Sequence, residues 1–153
     1  AKMVVRTPKG ERVVDAENYF IGPAIDITKM TILEPGDLLT SIRIPSTWAG
    51  TQFYFEKVRD RAVWDFALVN VAAAVVMSGG AIQRIRLAVN GVAAHPVRLT
   101  AVEAAVVGKA RNEETAELAG QVAIRGAEPL QYNGYKVPLL RNLVKRAIRG
   151  SAA

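Results

Sequence analysis

The strongest pattern of apolar and polar positions lies between residues 65 and 92. Asp65 to Met77 is a β-branched run carrying Val69, Val71, Val75 and Val76. Gly79-Gly80 follows, and Ile82 to Val92 then alternates, with Ile85, Leu87 and Val89 on one side and Arg84 and Arg86 on the other. Alone, the first run reads equally as strand or buried helix. With its glycine turn and alternating partner it predicts a hairpin whose first strand is buried on both faces. Upstream, Leu38 to Ile44 and Gln52 to Arg59 read as strands, separated by Pro45 and the loop Ser46 to Gly50. Residues 1–37 are short apolar pieces broken by turn residues. Met3 to Arg6 reads as a terminal strand and Val13 to Phe20 as a short amphipathic piece. In the turn Glu34-Pro35-Gly36-Asp37 proline presets φ and glycine takes the positive φ. This stretch has too little apolar surface to fold alone.

Past residue 99 the period becomes helical. Thr100-Ala101-Val102-Glu103 reads as a capping box opening a helix that ends near Gly108. Asn112 caps a second helix, with Glu113, Glu114 and Glu117 at its positive end and Arg125-Gly126 closing it. A third runs from Lys136 to Arg149 on an apolar stripe of Val137, Leu140, Val144, Ala147 and Ile148. Strands followed by helices predict an α+β domain, an antiparallel sheet of three to four strands packed against a layer of about three helices.

Composition narrows the chemistry. A chain of 153 residues, half of them hydrophobic, is one domain or one domain plus a remnant of another. It has no cysteine, which excludes disulfides, iron–sulfur ligation and thiolate zinc sites from this chain. His95 is its one histidine, too few for a two-histidine metal site. No metal ligand and no catalytic residue is assigned. The net charge of +6 includes a run of five basic residues (Lys136, Arg141, Lys145, Arg146, Arg149) without an acid. It reads first as a solvated helix face complementing the helix dipole, with nucleic acid or an acidic partner as the other reading. Residues 1–10 lack the apolar core of a signal peptide, and Ala67 to Met77 is too short to span a membrane. No nucleic acid, no membrane and a cytoplasmic location are expected.

Phosphate cradles depend on glycine. There is no GxGxxG and no Walker loop, and Gly79-Gly80 is not followed by a helix. The informative segment is Phe53 to Ala67, a strand that leaves the sheet into a charged loop and returns as a buried strand. An aromatic such as Trp64 in that loop suits stacking on a planar ligand, and nearby lysine or arginine suits an anion. A core aromatic with flanking ion pairs is the competing reading.

The run Tyr54 to Ala74, YFEKVRDRAVWDFALVNVAAA, resembles the "YEKVRxRxxxDFALVSVAAA" signature. That signature opens the C-terminal domain of the FAD-binding (medium) subunit in the xanthine dehydrogenase and carbon monoxide dehydrogenase family of molybdenum hydroxylases. Arg84 to Ala93 resembles the family's "RIALGGVA" strand, with Asn90 where glycine is usual. His95-Pro96-Val97-Arg98 resembles "KPWR", and Asn133 to Lys136 resembles "NxYK". Leu33 to Pro45 is similar to "LxPGELIxxIxIP", which closes the preceding FAD domain.

The resemblance implies a boundary: residues 1–45 as the C-terminal tail of an FAD-binding domain, and 51–153 as a CO dehydrogenase flavoprotein C-terminal-like domain. It implies FAD as cofactor, shared with an N-terminal FAD-binding half that holds the pyrophosphate. Leu39 and Lys57 carry over as flavin neighbours, and Trp64 and Asp65 as residues shaping the ring's environment. The lysine would favour negative charge on the reduced ring. The molybdenum cofactor and iron–sulfur clusters are expected only in partners, a molybdopterin large subunit and an iron–sulfur small subunit. On this reading the chain covers the FAD, docks on its siblings through its helices, and is not catalytic alone. The alternative is a stand-alone basic α+β binding module for RNA or an acidic protein, stacking bases on Phe53, Tyr54 and Phe55. Consecutive strand residues alternate faces, so the three cannot form one platform.

Overall fold

The computed structural model describes residues 1–150 and divides into two compact units, one ending at Gly50 and the other beginning at Thr51. In the first, β1 (Lys2–Thr7), β2 (Gly10–Asp15) and β3 (Leu38–Arg43) form an antiparallel sheet ordered β2-β1-β3. Val13 to Phe20 resolves into the end of β2 and a 3₁₀ turn at Ala16–Asn18. The core of this unit is small: Met3, Val5 and Tyr19 are buried, with Ile32, Leu33 and Leu39 packed against them. Its long loop is tied by polar contacts. Arg12 donates to the Ile32 carbonyl at 3.1 Å and to Asp37 at 3.0 Å, and Lys29 pairs with Glu34.

In the second unit β4 (Gln52–Val58), β5 (Val69–Ser78), β6 (Ala81–Asn90) and β7 (Val97–Arg98) pair antiparallel in chain order. They are followed by α1 (Thr100–Val106), α2 (Glu113–Ala123) and α3 (Lys136–Arg149). The architecture is the expected α+β one. Cross-strand pairs Val71↔Val89, Ala73↔Leu87 and Val75↔Ile85 build the sheet side of the core. Val102, Ala116, Leu143, Val144 and Ile148 build the helix side, all buried in the same cluster. Gly91, at φ +81°, follows β6 where the chain crosses the β4–β5 loop. A Cβ there would lie 2.6 Å from the Leu68 carbonyl oxygen, so only glycine lets the two backbones meet.

Two expectations fail, each for a local reason. β5 is fully buried on one face only: Val69, Val71, Ala73 and Val75 are covered, whereas Asn70, Ala74 and Val76 are partly buried and Ala72 is exposed. The cluster that buries β5 draws its helix residues from α1, α2 and α3, so one side of the pleat is fully covered by the helices and the other is not. The capping box is absent as well. Leu99, not Thr100, occupies the cap position and makes no side-chain cap hydrogen bond. Glu103 turns inward instead. It accepts from the Leu87 amide at 3.0 Å and from Arg98 at 2.9 and 2.7 Å, with Arg86 at 3.3 Å. Two guanidinium groups and a strand amide hold the carboxylate more strongly than one backbone N–H at the helix start. The Asn112 cap is present, its Oδ1 accepting from the Thr115 amide at 2.9 Å.

Candidate functional site: the loop between β4 and β5

Alternation along β4 decides what this loop is built on. Tyr54 is buried against the helices, while Phe53 and Phe55 are 68% and 67% exposed on the opposite face. Lys57 continues the Phe53–Phe55 row, paired with Asn70 where β4 meets β5. The strands close the loop through the Leu68 amide, which donates to the Val58 carbonyl at 2.8 Å.

Asp65 organises the loop from within. Its carboxylate accepts from the Asp60 amide at 2.8 Å and the Arg61 amide at 2.7 Å, with the Arg61 guanidinium at 3.6 Å. The backbone hydrogen bond from Arg61 is the largest cause holding its carboxyl below the usual range, ahead of the bond from Asp60. Arg61 also donates to the Trp64 carbonyl at 3.1 Å. Trp64 is thereby held at φ +54°, the sole non-glycine residue at positive φ among those described, a conformation costing about 1–2 kcal/mol. Its indole is 96% exposed, and the neighbouring Phe66 94%. None of the described residues covers the ring, so the strained conformation displays the indole instead of burying it.

Lys57 is tied into the same structure. Its Nζ donates to the main-chain carbonyl of Asp65 at 2.5 Å. A carbonyl partner positions an ammonium without neutralising it. The loop therefore carries an anchored cation beside an exposed indole, a combination suited to the edge and face of a planar, electron-rich ring. Lys57, Trp64 and Asp65 are thus brought together. Leu39 lies in the first unit, on β3 opposite Val5 and partly buried. His95 is a loop residue whose Nδ1 lies 2.9 Å from the Pro96 carbonyl.

The basic run of α3 is spoken for. Lys136 donates to the Gly91 carbonyl at 2.6 Å, Arg141 pairs with Glu117, and Arg146 pairs with Glu56. Lys145 bridges Glu113 at 3.1 Å and Glu117 at 2.5 Å, and Arg149 reaches Glu113 at 2.5 Å. These acids lie 24 to 90 residues away in sequence, which is why the run looked unopposed. The helix face read as solvated is a seam between α2 and α3 and between α3 and the sheet. The seam has a pH signature. Hydrogen bonds from Lys145 and then Arg141 lower the Glu117 pKa to about 2, against 4.5 unperturbed. A depressed carboxylate binds protons less readily folded than unfolded, so its contribution is complete above about pH 4.5 and is lost as pH falls toward 2. Glu117→Gln is expected to flatten the stability profile across that window in urea titrations while leaving its slope near neutral pH unchanged.

Residues 53–151 match the family model of the CO dehydrogenase flavoprotein C-terminal domain. The chain belongs to that family. Among curated CO dehydrogenase flavoprotein relatives, the carbon monoxide dehydrogenase medium chain of Hydrogenophaga pseudoflava is 32% identical, over 100% of this chain and 53% of its own length. The aldehyde oxidoreductase FAD-binding subunit of Escherichia coli is 29% identical over 96% of this chain and 43% of its own. A solved carbon monoxide dehydrogenase from H. pseudoflava superposes with a TM-score of 0.85 at 34% identity, covering 97% of this chain and 51% of that one. The quinoline 2-oxidoreductase of Pseudomonas putida 86 gives 0.79 at 27% identity. The chain spans about half the length of the relatives it matches.

Proposed function

We propose that this chain is the C-terminal, flavin-covering part of the medium subunit of a molybdenum hydroxylase, residues 1–45 being the tail of its FAD-binding domain and 51–153 the C-terminal domain proper. The observation that carries the reading is the loop in which Asp65 fixes an un-neutralised Lys57 beside an exposed Trp64. Those residues fit the isoalloxazine edge of FAD. The described residues offer its pyrophosphate no cradle: the Asn112 side chain caps the start of α2, and Gly79-Gly80 is a hairpin turn between β5 and β6. The phosphates are then held by the half that the relatives carry beyond the stretch they share with this chain. FAD, when bound, accepts the electrons and passes them on. This chain's part is to place a cation at the ring's edge, to shield one side with the loop, and to dock on its siblings. With no cysteine, it leaves the iron–sulfur clusters to a small subunit and the molybdenum cofactor to a large one. No described helix is long and apolar enough to cross a membrane, in keeping with an assembly read as cytoplasmic.

The test is Lys57→Ala in the flavin-loaded subunit. A cation beside the ring stabilises the negative charge that reduction brings, so its loss should lower the flavin midpoint potential or weaken flavin retention, and Lys57→Arg should restore most of either. Unchanged potential together with unchanged retention removes Lys57 from the site.

A further inference from the structure

The strands that carry the candidate loop end in a polar rung. Lys57 on β4 is paired with Asn70 on β5, and Asn70 with Asn90 on β6. Their neighbours Val69, Val71 and Val89 are buried, so alternation puts the three polar side chains together on the other face of the sheet. Asparagine is depleted in strands, and two of them opposite one another need a reason. Asn90 has one inside the fold. Its Oδ1 accepts from the Gly91 amide at 2.8 Å, at the glycine that passes close to the Leu68 carbonyl. Asn70 has none. It is partly buried, and among the described residues its carboxamide makes no hydrogen bond. On its side of β5 it is followed by Ala72, Ala74 and Val76, which offer it no polar partner. Lys57 does not use it either, since the ammonium donates to the Asp65 carbonyl. A residue that breaks a local preference without a compensating bond inside the fold marks a functional position.

We propose that the Asn70 carboxamide is a second ligand-binding group of the flavin site, hydrogen-bonding the polar edge of the ring that Lys57 serves as a cation. The inference rests on the flavin reading above and adds a residue to it. Directly paired residues on antiparallel strands have Cβ atoms about 4.5–5.5 Å apart, so a planar ligand whose edge meets Lys57 meets Asn70 along the same edge. The chemistry divides between them. The pyrimidine edge of an isoalloxazine alternates carbonyl, N–H and carbonyl. An ammonium only donates, whereas a carboxamide donates and accepts, so of the two only Asn70 can serve the N–H. The amide is also neutral, which leaves the charge of the site to Lys57, where a carboxylate would oppose it. The lysine thus sets the electrostatics of the ring, and the asparagine selects the edge turned toward it.

The test uses the flavin-loaded subunit. Asn70→Leu keeps the size of the side chain and removes its hydrogen bonds, and Asn70→Asp keeps the shape and adds a negative charge. FAD affinity is read by fluorescence titration of the flavin-free subunit, the carbonyl stretching bands of the bound ring by infrared difference spectroscopy, and the midpoint potential by reductive titration. Asn70→Leu is expected to weaken FAD binding about three- to tenfold, the loss of one hydrogen bond, and to shift the carbonyl bands. Asn70→Asp is expected to lower the midpoint potential, because an anion beside the ring opposes the negative charge that reduction brings. Lys57→Ala in the same preparation separates the two readings. If Lys57→Ala alters potential or retention while Asn70→Leu leaves affinity and carbonyl bands unchanged, the role of Asn70 is overturned and the flavin reading stands. If Asn70→Leu weakens binding with the carbonyl bands unmoved, the amide supports the strand and does not touch the ring, which also overturns the proposal. If neither variant changes any of the three readouts, the flavin reading falls and takes this inference with it.

Discussion

Replacing Glu103 by alanine is expected to lower the melting temperature of the second unit by roughly 12–24 °C, the largest loss of stability any single polar substitution here should produce. The carboxylate is 7% exposed and sits where α1, β6 and β7 meet. It accepts two hydrogen bonds from Arg98, one from Arg86 and one from the Leu87 amide. Removing it leaves that amide without its acceptor and strands the Arg98 guanidinium, itself 29% exposed, without this counter-charge. Breaking a buried pair on one side costs about 3–5 kcal/mol, and the lower end applies because Arg86 is 50% exposed and regains water. At about 4–8 °C per kcal/mol for a domain of this size, the expected shift follows. Glu103→Gln keeps an acceptor for the Leu87 amide and gives up the charge, so it should fall between the two. Thermal unfolding followed by circular dichroism decides it: an alanine variant melting within about 2 °C of the parent would remove the carboxylate from the fold's supports.

Why Glu103 was misread marks the limit of what the sequence displays. Its neighbours Thr100 and Val102 present a helix start in the local pattern, and a local pattern cannot show that Arg98 and the Leu87 amide arrive from two strands to claim the same carboxylate. Asn112 was legible because its cap closes within four residues, and α3 was legible because its apolar stripe is contiguous in sequence. The β5–β6 hairpin showed itself through one glycine pair and one alternating strand. The open side of β5 did not, since a run rich in valine and alanine has the same composition whether one face or two are covered. The candidate site divides in the same way. Lys57 and Trp64 stood out as a cation and an aromatic in a loop. Asp65 carried over from the resemblance as a residue shaping the ring's environment, and the structure adds that its carboxylate accepts from the Asp60 and Arg61 amides of the loop. Backbone donors have no letter in a sequence, so a side chain that serves them looks unemployed.

That role makes Asp65→Ala the sharpest functional prediction. Without the carboxylate, the Asp60 and Arg61 amides lose their acceptor, and Trp64 at φ +54° keeps only the Arg61 hydrogen bond to its carbonyl against its steric cost. The loop should then relax, and the carbonyl that positions the Lys57 ammonium should move with it. Hydrogen exchange at the Asp60 and Arg61 amides is expected to speed up on the order of tenfold or more, while the buried amides of β5 and β6 keep their protection, because the loop opens as a local unit. Asp65→Asn, with one amide oxygen in place of the carboxylate, should recover part of the protection. Acid should mimic the substitution in the parent protein. A carboxyl with a depressed folded pKa contributes fully above its unfolded value and loses that contribution as pH falls through the folded one, so loop exchange should rise only at pH below the ordinary aspartate range. In the flavin-loaded subunit Asp65→Ala should move the flavin potential in the same direction as Lys57→Ala, and adding it to Lys57→Ala should bring little further change, since both act through one ammonium. Additive shifts would instead place the Asp65 carboxylate in direct electrostatic contact with the ring, and unchanged exchange at Asp60 and Arg61 would show that the loop holds its shape without it.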